Sequence, residues 1–406
     1  MKGVLTLINI TNKSKCCGCT ACVSVCPKKC ISMKEDNEGF LYPMIDSSSC
    51  IQCGLCEKVC PILNTKEEIP FKQDGYVVQN KDLNILKEST AGGAFTAIAK
   101  YVLNHNGVVF GVELSEEFIA NHIYVESEKE LFRFRNSKYV QSCVGEKTFN
   151  QVKNFLLSQK LVCFSGTPCQ IEGLKSYLGK SYDNLITVDV VCRAVPSPLI
   201  FKKYLEVQEN KLHDKILSVR FRDKYYGYKY STMNVITNNN NGNYHHGVES
   251  DLWLRTFFSN ICDRPSCHEC RFKKQYRISD ITIWDCFNVY KFSKELDNDK
   301  GATRVLVHSN NGRKIFTEIL KDFNYIQVEP NKIVEGSNEI KTSILPNKNR
   351  ANFFIDANHL TSEQLFSKYF PETFKVKAEH FIRIFCYKLG IYSFIKKVFV
   401  KITHKY

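Results

Sequence analysis

No uninterrupted apolar run in this 406-residue chain approaches the roughly 18 residues that a membrane-spanning helix requires, which excludes a spanning helix. The opening segment, MKGVLTLINITNKSKCC, carries too short an apolar stretch for a signal peptide, so the expected setting is a reducing cytoplasm rather than an oxidising compartment. Zinc-finger, RNP-like and helix-turn-helix patterns are also missing, and nucleic acid is therefore not the expected partner. Low-complexity composition is absent too: 43% hydrophobic and 24% charged residues are ordinary for a folded protein and exclude a disordered or fibrous chain. Length sets a prior of two to three domains with at least one substantial core.

Cysteine is what the chain has in excess. Nineteen of 406 residues is too sparse for a disulfide scaffold and far above ordinary intracellular usage, so metal or redox roles are expected for the thiols. Basic residues are also in excess, 56 Lys and Arg against 42 Asp and Glu, for a net charge of +14. Half of that excess lies between Phe374 and Tyr406, where eight Lys or Arg face one acid, Glu379.

Eight of the ten cysteines in the first 60 residues form two copies of C-x2-C-x2-C-x3-C-P: Cys16, Cys19, Cys22, Cys26 with Pro27, and Cys50, Cys53, Cys56, Cys60 with Pro61. Three thiolates within seven residues wrap three corners of an iron–sulfur cube, and the fourth, beside a proline, reaches the neighbouring cube. The crossover assigns cluster one to Cys16, Cys19, Cys22 and Cys60, and cluster two to Cys50, Cys53, Cys56 and Cys26. Paired zinc knuckles are the competing reading, but those show separated Cys pairs rather than runs of four. Cys17 and Cys30 fit neither register and read as packed thiols.

A polar, proline-containing stretch after Pro61 marks a boundary near residue 70. Strand and helix patterns then alternate: strands at 107–114 and 122–127, a helix near 146–158, strand 161–166, a helix from Pro168, and strand 185–192. Further strands are expected at 216–223, 231–237, 280–287, 303–309 and 325–330, with IFTEILKDF and YIQVEP alternating until the pattern runs out near 330. This is an α/β layer arrangement. Domain bounds are set at 1–66 for the ferredoxin segment, 75–155 and 160–330 for two parts of the α/β region, and 331–406 for a loop-rich connector and a tail. The tail reads as a basic amphipathic helix hinged at Gly390, suited either to anionic lipid or to packing on the body with a solvated basic face.

Two turns stand out. Gly166-Thr167-Pro168-Cys169-Gln170 runs from strand to helix, and Ser89-Thr90-Ala91-Gly92-Gly93-Ala94 opens a helix. Both leave backbone N–H groups free for a phosphate or cofactor edge, and the second serves equally well as plain capping. Cys169, Cys192, Cys267 and Cys270 recur at strand ends and could converge. The Cys267-x2-Cys270 pair also fits zinc or simple packing. Cys262 and Cys286 are further candidates, whereas Cys143, Cys163 and Cys386 read as packing residues.

The segments GTPCQ (166–170), CRAVPSP (192–198), NSKYVQS (136–142) and RISDITIWD (277–285) together resemble the family of coenzyme F420 hydrogenase/dehydrogenase beta subunits, over residues 1 to about 330. The likeness is to the bacterial type with an N-terminal two-cluster ferredoxin domain, which often accompanies polysaccharide-biosynthesis proteins. The fold this implies is a multidomain α+β and α/β chain: a ferredoxin-like domain for two 4Fe-4S clusters, then a mixed α/β flavin-binding region. The resemblance implies FAD near Ser89, Thr90, Gly92, Gly93, Lys138, Tyr139 and Thr167, with Lys138 balancing a pyrophosphate or reduced flavin. It implies a third 4Fe-4S cluster on Cys169, Cys192, Cys267 and Cys270. It also brings in coenzyme F420 or another nicotinamide-like compound as second substrate. Two departures border the implied site: Cys-Arg-Ala-Val at 192–195 where Cys-His-Gly-Val is usual, and Asp-Cys-Phe-Asn at 285–288 where Asp-Phe-Trp-Gly is usual. The expected function is that of an iron–sulfur flavoprotein oxidoreductase in the cytoplasm, with a redox partner protein or small organic substrate and with peripheral contact at the inner membrane surface through the tail. Two alternatives are an adapter that serves a partner enzyme and an iron–sulfur nucleic-acid or sensor protein.

Overall fold

A computed structural model describes residues 10, 12–239 and 244–392. The ferredoxin segment begins with a short helix, Ala21–Val25, followed by a hairpin of β1 (Ile31–Glu35) and β2 (Leu41–Ile45), and then a second short helix, Leu55–Lys58. Asp36 Oδ1 closes the hairpin turn by accepting the backbone N–H groups of Glu38 and Phe40.

Eleven more strands follow: β3 (Asp74–Asn80), β4 (Val108–Leu114), β5 (Ala120–Val125), β6 (Val162–Gly166), β7 (Leu185–Val190), β8 (Ile216–Asp223), β9 (Thr232–Thr237), β10 (Tyr244–His246), β11 (Ile281–Asp285), β12 (Thr303–Val307) and β13 (Phe323–Val328). Eight make one mixed sheet in the order β13-β3-β12-β11-β7-β6-β4-β5. Its centre, β4, β6, β7 and β11, is parallel, and the flanking strands are antiparallel. Helices cover both faces. Ala94–Asn104 and Asn310–Ile319 pack on one side, and Thr148–Leu157 and Pro168–Leu178 on the other. That double cover is why β6 and β7 read as nearly continuous apolar runs rather than alternating ones.

Most of the expected elements lie within two residues of their observed bounds, and three readings need correction. IFTEILKDF is not a strand: Ile315, Phe316 and Ile319 form the buried stripe of the helix Asn310–Ile319, whose first turn Ser309 caps by accepting the Gly312 N–H. Strand β3 escaped notice although it sits inside the sheet, paired through Val78 with Thr303 of β12 and Tyr325 of β13. The sequence parts 75–155 and 160–330 therefore share one sheet. Lastly, the loop-rich connector ends at residue 349 and gives way to helices that the sequence reading did not place. Helices Arg350–Ala357 and Ser362–Tyr369 bury Phe353, Phe354, Leu365 and Phe366 in a second core, with the three-stranded sheet β10-β9-β8 and the helices Pro198–Leu212 and Leu252–Phe258. The tail forms the helix Phe374–Lys388 and turns at Gly390 with φ +71°; residues 393–406 lie outside the described residues. Among the described residues no helix is long and apolar enough to cross a membrane.

The ferredoxin segment is built into this second core through Phe40 and Tyr42. Arg350 holds Glu38 with two charge-assisted bonds, 2.9 and 2.5 Å, and Ser197 Oγ donates to the Glu38 carbonyl. Arg264 is 1% exposed and donates to the Cys16 carbonyl (2.9 Å), the Leu41 carbonyl (2.9 Å) and Gln141 Oε1 (3.0 Å), with its guanidinium over the Tyr42 ring at 4.2 Å. Replacing Arg264 with Met leaves those three acceptors buried and unpaired, so denaturant unfolding should show a loss of about 3 kcal/mol or more. Limited proteolysis should then release the first 66 or so residues; a variant as stable and as resistant as the parent would contradict this docking role.

Candidate functional site

In the ferredoxin segment the cysteines fall into two groups. Cys26, Cys50, Cys53 and Cys56 line one small cavity, together with Cys30. Cys16, Cys19, Cys22 and Cys60 are drawn together beside it, with each in charge contact with others of the group. Thr20 and Gly54, both left-handed, turn the chain so that Cys22 and Cys56 enter on the first turns of their helices. Burial pushes the Cys22 thiol up to about 12, so thiolates here depend on the positive charge of bound iron. Cys30 lies 3.3 Å from Cys26 Sγ and is a neighbour of that cavity rather than a remote packing residue.

A third group forms where three segments meet. Cys169 stands on the first turn of Pro168–Leu178, a helix that Thr167 and Gln170 open with a capping box. Cys192 follows β7, and Cys267 and Cys270 follow Arg264. Burial pushes the Cys192 thiol up to about 12, and the charges of Cys169 and Cys270 add to that; Cys267 and Cys270 are raised in the same way. Among the described residues no three His, Cys, Asp or Glu side chains close around a single-ion point, the eight ferredoxin cysteines included. Cys262 and Cys286 are buried in separate apolar clusters and take no part.

Cys17, read from the sequence as a packed thiol, joins the first group to the third. Its thiol lies close enough to those of Cys19 and Cys169 for each to shift the others' ionisation. Alongside it, Gly173 of the helix Pro168–Leu178 lies against the same loop: a Cβ there would meet Cys19 Cβ at 2.7 Å and Sγ at 2.9 Å. The helix that presents Cys169 therefore rests directly on Cys19.

From this junction a cavity of about 600 Å³ opens at the carboxyl ends of β6 and β7, where open α/β sheets characteristically take their ligands. Ser89, Thr90, Gly93, Lys138, Tyr139 and Thr167 all line it, as do Cys17, Cys169 and Cys192. The Ser137 N–H donates to Thr90 Oγ1 at 2.8 Å, which ties the Ser89–Gly93 turn to the NSKYVQS segment. Some expected details differ. Gly92 is packed away from the cavity, because a Cβ there would meet the Val78 carbonyl at 2.3 Å, and its N–H donates to Thr303 Oγ1. Ser89 Oγ caps its own helix by donating to the Ile85 carbonyl. Lys138 Nζ donates to the Arg133 and Arg135 carbonyls, and burial lowers its pKa to about 7.

Sequence reasoning overlooked two basic residues of β8 and its exit. Arg222 donates to Ser231 Oγ (2.7 Å) and the Tyr139 hydroxyl (3.1 Å), lies 3.3 Å from Asp285, and keeps Nη2 buried without a partner. Lys224 Nζ holds the Ser89–Gly93 turn by donating to the Leu86 and Ala91 carbonyls. At the mouth, Arg193 bonds Asn260 and stacks over Phe258, while Phe287 stacks on Tyr228 at 5.5 Å. Both places where the chain departs from the family pattern thus border the cavity. Its buried, unpartnered Arg222 Nη2 and Arg193 Nε, together with its size, fit an anionic cofactor as large as a flavin dinucleotide.

Comparison with known proteins gives two family matches: a 4Fe-4S dicluster domain over residues 15–63, and the C terminus of the coenzyme F420 hydrogenase/dehydrogenase beta subunit over 159–332. Over 174 residues the chain is 25% identical to the coenzyme F420-dependent sulfite reductase of Methanocaldococcus jannaschii, covering 42% of this chain and 26% of that protein. It is 24% identical to a component of the F(420)H(2) dehydrogenase of Methanosarcina mazei, covering 38% of this chain and 46% of that component. The ferredoxin segment is 39% identical over 64 residues to the 7Fe ferredoxin of Hydrogenibacillus schlegelii, covering 15% of this chain and 76% of that one. The F420-reducing hydrogenase complex of Methanosarcina barkeri aligns at 16% identity with a TM-score of 0.43, over 72% of this chain and 93% of that one. The chain thus spans about a quarter of the sulfite reductase and under half of the dehydrogenase component. It joins an N-terminal 4Fe-4S dicluster domain to a region of the coenzyme F420 hydrogenase/dehydrogenase beta-subunit family.

Proposed function

We propose that the chain is an iron–sulfur flavoprotein oxidoreductase that passes electrons between its ferredoxin clusters, an FAD in the 600 Å³ cavity and a second redox partner. One observation carries this reading: the helix that bears Cys169 packs through Gly173 on Cys19, and Cys17 and Cys169 both line the cavity that holds the candidate flavin residues. In this reading Cys16, Cys19, Cys22 and Cys60 hold one cube, Cys26, Cys50, Cys53 and Cys56 a second, and Cys169, Cys192, Cys267 and Cys270 a third. A flavin supplies the exchange between single electrons from the clusters and electron pairs for an organic acceptor. Arg222 and Arg193 offer their free N–H groups to anionic groups, Lys224 fixes the small-residue turn, and Tyr139 is held in place by Phe257 and Arg222. The relatives named for coenzyme F420 make that deazaflavin the first compound to test as second substrate. Reduction of a small molecule by the purified chain alone would distinguish an enzyme from an adapter that works only with a partner protein.

The deciding experiment is anaerobic purification with iron, sulfide and flavin quantified. About twelve iron atoms per chain and bound FAD are expected; about eight would remove the third cluster, and failure to take up excess FAD would remove the flavin. Arg222→Met should weaken FAD binding roughly tenfold, as expected when a charged hydrogen-bond donor is lost. Lys138 is protonated below about pH 7 and neutral above it, so FAD affinity should fall as pH rises through that value, and Lys138→Met should flatten the profile. An unchanged slope in the variant would clear Lys138 of that role.

The contact itself can be tested separately. Gly173→Val forces the helix Pro168–Leu178 off Cys19, so iron content should drop and visible-light reduction of any flavin through the clusters should slow. Full iron content and unaltered reduction kinetics would show that the close packing is dispensable.

A further inference from the structure

The helix Phe374–Lys388 has two faces of unlike character. Its inner face is fixed to the body by polar and ring contacts. His380 Nδ1 lies 3.1 Å from Glu249 Oε1 and its ring stacks on His246 at 4.3 Å, Arg383 Nε lies 3.7 Å from Glu249 Oε2, and Tyr387 packs edge-on against Tyr226. The outer face is apolar and turned to solvent. Phe374 is 86% exposed, and Phe381, Ile382, Phe385 and Leu389 are each more than half exposed. At 3.6 residues per turn these five fall within an arc of about 100°. Phe381 and Phe385 stack on each other within it, at 6.3 Å. Lys375 borders the arc on one side, Lys377 and Lys388 on the other.

We propose that this face docks on the surface of an anionic lipid bilayer, with the helix lying flat in the interface. An aromatic stripe edged by lysines places its rings at acyl depth while the ammonium groups reach anionic headgroups. The body contacts hold the helix so that this stripe points away from both cores. The charge of the region favours anionic lipid over a second copy. Residues 374–406 carry eight Lys or Arg and one acid, so a second copy docking through the same face would set lysine edge against lysine edge. Nothing in the flavin or cluster assignment enters this argument, and either can fail without the other.

Flotation of the anaerobically purified full chain tests it, with vesicles of phosphatidylcholine alone and of phosphatidylcholine mixed equally with phosphatidylglycerol. The chain should float with the mixed vesicles, remain behind with phosphatidylcholine alone, and be released by salt. Substituting both Phe381→Glu and Phe385→Glu should lower the bound fraction by roughly tenfold or more, with iron content and melting unchanged because both rings are exposed. If that variant folds poorly, Lys375→Gln with Lys377→Gln should still weaken binding and reduce its salt dependence. Absence of binding to the mixed vesicles overturns the proposal, as does binding that neither variant alters. A dimer in solution that the Phe381→Glu, Phe385→Glu variant breaks would assign the face to a second copy and overturn it too.

Discussion

The guanidinium of Arg264 is the contact on which the rest of the arrangement depends. It enters the ferredoxin segment from the α/β body and satisfies carbonyls on both sides of the first cysteine loop, at Cys16 and Leu41. A buried charge is costly unless it is fully bonded, so the sites that bond it cannot drift apart without exposing that cost. Arg264 Nη2 also lies 3.7 Å from Cys16 Sγ, where a cation stabilises a thiolate and, with it, the electron-rich state of anything the thiolate binds. Three residues further on comes Cys267. One short segment, Cys262–Cys270, therefore clamps the ferredoxin loop at one end and presents the third cysteine group at the other. The Pro196–Asp263 bridge and the bond from the Arg264 N–H to the Val195 carbonyl tie that same segment to Cys192.

The cavity is the electrostatic counterpart of this clamp. Arg135, Lys138, Arg193, Arg222 and Arg304 line it, against Asp285 and Glu339. Arg135 is neutralised by an ion pair with Glu88, and Arg304 is spent on the Ile333 and Glu335 carbonyls. Lys138 has its ammonium on two carbonyls, and its low pKa of about 7 registers the desolvation it bears; Arg222 Nη2 and the Nε groups of Arg135, Arg193 and Arg304 are buried without a partner. An anion in the cavity would relieve both strains together, by restoring the proton on Lys138 and by pairing the orphaned donors.

What the sequence made legible follows from how local each signal is. The two C-x2-C-x2-C-x3-C-P runs put every ligand type within eleven residues, so spacing alone announced them. The third group draws on residues 169, 192, 267 and 270. Its convergence depends on β7 and the Cys262–Cys270 segment meeting in space, which no window of sequence contains. Strand β3 was missed for the same reason: GYVVQN borders a polar linker, and both its partners lie more than 220 residues away. Arg222 and Lys224 were silent because a basic residue in a strand has no motif, and only the fold reveals that their tips end under Tyr139 and the Ser89–Gly93 turn. Cys17 was discounted because it breaks the cluster register, which is the property that leaves its thiol free to lie close to Cys169.

Order in the segment after residue 330 completes the logic. Phe353, Phe354, Leu365 and Phe366 share a core with Phe40 and Tyr42 of the ferredoxin hairpin, and Arg350 reaches Glu38 across that core. The helices Arg350–Ala357 and Ser362–Tyr369 thus hold the ferredoxin segment together with Arg264, and Arg350 Nε donates to the carbonyl of the neighbouring Asp263. A ferredoxin held at two points cannot swing between donor and acceptor as a tethered carrier does, so its clusters must exchange electrons from fixed positions. Close packing then becomes obligatory where Cys19 meets Gly173, since no domain motion is left to shorten the path. That packing accounts for a glycine in the interior of the helix Pro168–Leu178, a position where it costs about 1 kcal/mol against alanine and where a Cβ would press on Cys19.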